Sequence, residues 1–105
     1  MSESANWIKV AEVGDIEDEE AIVYTHDDKE IAIFFVEDEY FATSNVCTHE
    51  VARLSEGYVD GTKIECPLHQ GVFCLRSGKA LEAPAEQPLD TYPVKVEGGE
   101  IFIAV

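Results

Sequence analysis

Four residues of the kinds that bind soft metals stand in two short groups. Cys47-Thr48-His49 is followed by a 16-residue spacer and then by Cys66-Pro67-Leu68-His69, a C-x-H-x16-C-x-x-H pattern. Two thiolates and two imidazoles suit zinc, or a two-iron, two-sulfide cluster in which two histidines replace two cysteines on one iron. The arrangement distinguishes them. A structural zinc site usually draws paired cysteines from one turn and paired histidines from a helix. Here each group offers one sulfur and one nitrogen. A binuclear cluster uses such a division, because each loop can straddle both irons, with sulfur on one and nitrogen on the other. Cys47, His49, Cys66 and His69 are therefore the expected ligands, with mononuclear zinc as the alternative.

The remaining candidates carry less chemistry. Cys74 lies in Val72-Phe73-Cys74-Leu75 and reads as a small buried hydrophobe. His26 stands in an acidic turn and reads as a surface residue. With the other two histidines on a cluster, it cannot by itself build a two-histidine, one-carboxylate oxygenase site. The chain has neither a G-x-G-x-x-G nor a Walker loop, so it shows no nicotinamide, flavin or nucleotide site. It is expected to be neither a reductase nor an oxygenase.

The two ligand groups must be presented by short strands and turns. Ala21–Thr25 and Ile31–Val36 are β-branched and aromatic and are joined by a turn at His26–Lys29. Glu37-Asp38-Glu39 turns the chain into Tyr40–Thr43. Asp60-Gly61 predicts a hairpin between Gly57–Val59 and Lys63–Glu65, and Gly98-Gly99 one between Thr91–Val96 and Glu100–Val105. Val72–Leu75 precedes a weaker turn at Ser77-Gly78. Pro93 suits a strand edge or a bulge. Trp7, Tyr24, Phe34, Phe35, Phe41 and Phe102 read as core or semi-core. No segment shows a long capped helical period, so the fold class is all-β, a small antiparallel sandwich or barrel.

At 105 residues the chain fits one domain, and its formal charge is −15. Such acidity argues against nucleic acid and against an anionic membrane surface. No apolar run approaches the length of a membrane span. Three cysteines without a secretory leader suggest a reducing cytosol. Residues 1–40 sum to −11, residues 41–81 to 0 and residues 82–105 to −4. The ligand-bearing middle third is therefore neutral and the two flanking segments are acidic. Glu17–Glu20 reads as a solvated loop.

These residues carry a family resemblance. The chain resembles Rieske-type ferredoxins, the soluble ferredoxin components of bacterial multicomponent aromatic-ring dioxygenases, and the naphthalene dioxygenase type in particular. The matching motifs are Cys47-Thr48-His49, Ala52–Tyr58, Ile64–Gly71 and Ser77–Ala80. The resemblance implies one Rieske domain over 1–105, an antiparallel β base with a two-loop cluster-binding subdomain at about 45–83. It implies one [2Fe-2S] cluster, with Cys47 and Cys66 on the inner iron and His49 and His69 on the outer. The implied role is a cytoplasmic, monomeric electron carrier without substrate chemistry of its own. It would take electrons from a flavoprotein NAD(P)H reductase and pass them to a terminal oxygenase. A small nitrite reductase subunit, a different oxygenase system and a zinc-stabilised interaction module are the other readings. Glu50 departs from the family, which usually has glycine after the first histidine. Respiratory Rieske proteins add a disulfide, and a serine and a tyrosine that hydrogen-bond sulfur; those positions here are Ala52, Leu68, Gly71 and Phe73. Lacking those donors, the cluster is expected to have a low potential.

Overall fold

The computed structural model describes residues 6–46, 53–67, 71–82 and 88–105. Three antiparallel sheets are stacked in sequence (sheet A, sheet B, sheet C). Strands β1 (Trp7–Glu12), β10 (Val94–Glu97) and β11 (Glu100–Ala104) form sheet A in the order β1-β11-β10. Strands β2 (Glu20–His26), β3 (Lys29–Val36), β4 (Glu39–Ser44) and β9 (Thr91–Tyr92) form sheet B in that order. Strands β5 (Tyr58–Asp60), β6 (Lys63–Glu65), β7 (Val72–Cys74) and β8 (Ala80–Glu82) form sheet C, preceded by a 3-10 turn at Leu54–Glu56. Among the described residues no helix is long and apolar enough to cross a membrane.

Sheet B is the middle layer, and its sequence shows why. Successive strand residues point to opposite faces, yet Ile31, Ala32, Ile33 and Phe34 are all buried. Ile31 and Ile33 pack with Ala11, Ile16, Ile101 and Ile103 on the sheet A side. Ala32, Phe34 and Val36 pack with Leu54, Ile64, Cys66, Phe73 and Leu75 on the sheet C side. A strand covered on both faces reads as a continuous apolar run instead of an alternation, as Ile31–Val36 does.

Tight turns fix the registers. Asp27-Asp28, Glu37-Asp38 and Gly98-Gly99 all have positive φ at both central residues, the primed geometry that matches strand twist. The expected Asp60-Gly61 turn is shifted by one residue. Asp60 pairs with Lys63, so Gly61-Thr62 forms the loop, with glycine taking the positive φ. The single strand expected over Thr91–Val96 is two. Pro93, which has no N–H for a ladder, stands where the chain leaves sheet B for sheet A, and its carbonyl accepts from the Ala104 N–H at 3.1 Å. Strands β1 and β8 and the 3-10 turn carry no strong sequence signal of their own. Trp7, expected in the core or at its margin, lies on the outer face of sheet A with Lys95 Nζ 4.7 Å from its ring centroid.

Candidate metal centre

Of the four expected ligands, Cys66 is described. It follows β6 directly, fully buried in the core between sheets B and C. Its N–H donates to the Gly71 carbonyl at 2.7 Å, which ties the residue after β6 to the residue before β7. Cys47, His49 and His69, with Glu50, Ala52 and Leu68, lie outside the described residues. What the structure shows of their loops is the anchors.

The segment 47–52 is pinched at its mouth by an antiparallel bridge between Val46 and Arg53. Beside it the Leu54 N–H donates to the Asn45 carbonyl at 2.7 Å, and the Ser55 N–H to Asn45 Oδ1 at 2.8 Å. Asn45 is one of the two buried polar residues among those described, and both polar atoms of its side chain are paired, since Nδ2 donates to Glu30 Oε1 at 3.0 Å. Arg53 grips both oxygens of Glu30, through Nε at 2.9 Å and Nη2 at 3.0 Å. The Arg53 guanidinium first, and Asn45 second, hold the Glu30 carboxyl below its ordinary value. The Arg53 guanidinium is correspondingly held above its own.

The two loop bases are in contact. The Gly57 N–H closes the 3-10 turn onto the Leu54 carbonyl at 2.9 Å. A Cβ at Gly57 would overlap the carbonyl oxygen of Glu65, the residue before Cys66. Glycine lets the end of the first loop lie flat against the start of the second. Gly78 serves in a similar way farther along, with φ +78° and its Cα against the Leu89 carbonyl. Both glycines fall within the motifs that carry the resemblance.

Two expectations need adjustment, on Cys74 and on the charge around the loops. Cys74 is half-buried and outside the core, which takes its neighbours Phe73 and Leu75. Hydrogen bonds with Ser77, side chain first and backbone second, hold its thiol below the ordinary value. His26 is partly exposed, 3.4 Å from Asp27. The region around the loops is also less cleanly neutral than the charge count along the chain suggests. Ile31 pairs with Ser44, so the Asp27-Asp28 turn stands at the same end of sheet B as the first loop. The acids of 17–20 and 37–39 gather at the other end, where Asp18 Oδ1 accepts from the Glu37 N–H at 3.3 Å and Glu39 pairs with Arg76. Glu30, Asn45 and Ser55 were not singled out from sequence. An isolated Glu in a strand start and an Asn after a strand carry no signal until the fold brings them together.

The donor chemistry fits an iron–sulfur centre. One expected donor, the Cys66 thiol, is buried between two sheets, and the other three lie outside the described residues. Among the described residues, no set of three His, Cys, Asp or Glu side chains converges as a metal site.

Comparison with known proteins agrees. Residues 6–93 match the Rieske [2Fe-2S] domain. The chain is 46% identical over 100 residues to the ferredoxin component of the naphthalene 1,2-dioxygenase system of Pseudomonas putida, covering 95% of this chain and 96% of that one. The Sphingomonas yanoikuyae B1 ferredoxin superposes with a TM-score of 0.89 at 39% identity, over 95% of this chain and 99% of that one. A ferredoxin–oxygenase complex of carbazole 1,9a-dioxygenase matches with a TM-score of 0.89 at 35% identity, over 93% of this chain and 92% of the matched one. This chain belongs to the Rieske [2Fe-2S] family. Within it, the relatives are ferredoxin components, electron-transfer proteins of dioxygenase systems and not their catalytic subunits.

Proposed function

We propose that this protein is the soluble one-electron carrier of an aromatic-ring-hydroxylating dioxygenase system. It accepts an electron from a flavin-containing NAD(P)H reductase in the cytoplasm and delivers it, as a monomer, to the Rieske centre of a terminal oxygenase. Cys47 and Cys66 hold the inner iron, and His49 and His69 the outer. The bound cluster supplies reversible one-electron chemistry. The chain's own residues keep Cys66 away from water and root the two ligand loops together. The whole chain serves as one domain, with residues of about 45–83 forming the cluster-bearing part.

The carrying observation is the contact of the two loop bases through Gly57 and Glu65, one residue from Cys66. It supports a ligand set shared between loops, as C-x-H and C-x-x-H require. Support for the partners comes from the related ferredoxin that was solved with its oxygenase. The test is metal and acid-labile sulfide analysis with electron paramagnetic resonance of the reduced protein. About two irons and two sulfides per chain are expected, by the stoichiometry of this cluster type. Colourless protein with stoichiometric zinc would sink the reading. Reduction of the purified carrier by NAD(P)H through a flavoprotein reductase, followed by reoxidation on adding oxygenase, tests the place in the chain.

A further inference from the structure

The mouth of the first ligand loop hangs on one carboxylate. Glu30 sits at the start of β3 and is bound to both ends of the segment 47–52. Asn45 leads into that segment and donates to Oε1, while Arg53 leads out of it and donates to both oxygens. The backbone adds a second tie, from the Asn45 N–H to the Glu30 carbonyl at 2.9 Å. The Val46–Arg53 bridge then sets Arg53 opposite Val46, the residue that precedes Cys47 in the chain. We propose that Glu30 is a positioning residue for the cluster. Through Asn45 and Arg53 it holds the loop that carries Cys47 and His49, and by neutralising Arg53 it sets the midpoint potential. The inference rests on Cys47 and His49 being ligands, as proposed above.

The physical reason is charge balance beside a redox centre. Reduction adds one negative charge to the cluster. A lone cation nearby favours that charge and a lone anion opposes it, whereas a paired Arg53 and Glu30 largely cancel. Glu30→Gln leaves the Arg53 charge uncompensated, and Arg53→Gln leaves that of Glu30. At this largely exposed site an unpaired charge changes such an equilibrium by roughly two- to threefold, which is about 18–28 mV for a one-electron couple at 59 mV per decade. Arg53→Lys keeps the charge but loses the two-pronged geometry.

The experiment measures midpoint potential, the reduced paramagnetic resonance spectrum and the rate of iron loss to a chelator. It uses the holoprotein, Glu30→Gln, Arg53→Gln, Arg53→Lys and the double Gln variant. Expected are an upward shift of roughly two- to threefold in the reduction equilibrium for Glu30→Gln and a comparable downward shift for Arg53→Gln. The double variant and Arg53→Lys should return close to the wild-type potential, and both should release iron faster. Unchanged potentials in the two single variants, or shifts in the same direction, would overturn the inference. If Glu30→Gln fails to load, the comparison of Arg53→Gln with Arg53→Lys decides it, and equal potentials there count against it. A wild-type spectrum without histidine-ligated iron would instead overturn the ligand assignment. The variant potentials thus fail separately from that assignment.

Discussion

Single residues account for the most local properties. Gly71 and Phe73 stand where respiratory relatives place hydroxyl donors, and Phe73 is instead fully buried in the core. With those donors missing, the cluster sulfurs lose hydrogen bonds that favour the more negative reduced state. The midpoint should lie near the bottom of the Rieske span, roughly −150 mV, by protein-film or mediated voltammetry. At Gly57 the constraint is space, since its φ of −85° is open to any residue. Gly57→Ala drives a methyl into the Glu65 carbonyl and should cost about 1–3 kcal/mol, as overpacked sites do. Urea titration and iron content check it, and loss of both together is expected because metal binding is coupled to folding. Glu30 gives a pH dependence with a definite sign. Its carboxyl is held below the ordinary 4.5 by Arg53 and Asn45. Its contribution to stability is therefore complete above the unfolded-state value and disappears as pH falls through the lower folded one. Thermal melts between pH 7 and 3 should show a drop on the acid side of 4.5 that is shallower in Glu30→Gln. Glu39, held down by Arg76, contributes in the same direction.

At the scale of elements, the three sheets are held by hairpins whose turns are not equally comfortable. Glu37 and Asp38 both adopt positive φ, at 52° and 64°. The left-handed region costs a side chain with a Cβ about 1 kcal/mol, less for asparagine and little for glycine. Replacing the pair by Asn-Gly suits the two-residue primed turn. Glu37→Asn with Asp38→Gly should stabilise the holoprotein by about 1 kcal/mol, read as a higher urea midpoint at unchanged slope. The turn lies at the end of sheet B away from the first loop, so the cluster's spectrum should not change. Sequence showed these turns and the strands around them through Gly-Gly, acidic pairs and β-branched runs. It did not separate Thr91–Tyr92 from Val94–Glu97, because one apolar stretch can change sheets without changing its pattern. It also could not place Cys74 outside the core, since burial on one face of a three-residue strand depends on what packs there.

For the whole molecule, charge in space differs from charge along the chain. The acids of 17–20 and 37–39 cluster at one end of sheet B, whereas Asp27 and Asp28 stand at the other, the end from which the chain leads into the first loop. If the proposed reductase presents a basic face, the nearer pair meets it at contact and the farther group orients the approach. Reduction rates should fall as salt shortens the Debye length below about 10 Å. Asp27→Asn with Asp28→Asn should lower the low-salt association rate more than neutralising Glu17, Asp18, Glu19 and Glu20 together. Stopped-flow rates against ionic strength check both, and a salt-independent rate would leave the acidity as a matter of solubility.

The sequence by itself determined the fold class, and it carries the donor pattern proposed for the cluster. C-x-H and C-x-x-H are local spacings, and a strand or a tight turn is chosen by neighbours within a few residues, so both can be read one segment at a time. The stacking of three sheets was decided by tertiary structure, as was the double burial of β3 that lies behind its unbroken apolar run. So was the meeting of Glu30, Asn45, Arg53 and Ser55 at the mouth of the first loop. Those residues are as much as 25 positions apart, and nothing in their own surroundings distinguishes them. Only the pairing of Ile31 with Ser44 brings the start of one strand beside the end of the next. There a single carboxylate can reach both sides of a ligand loop.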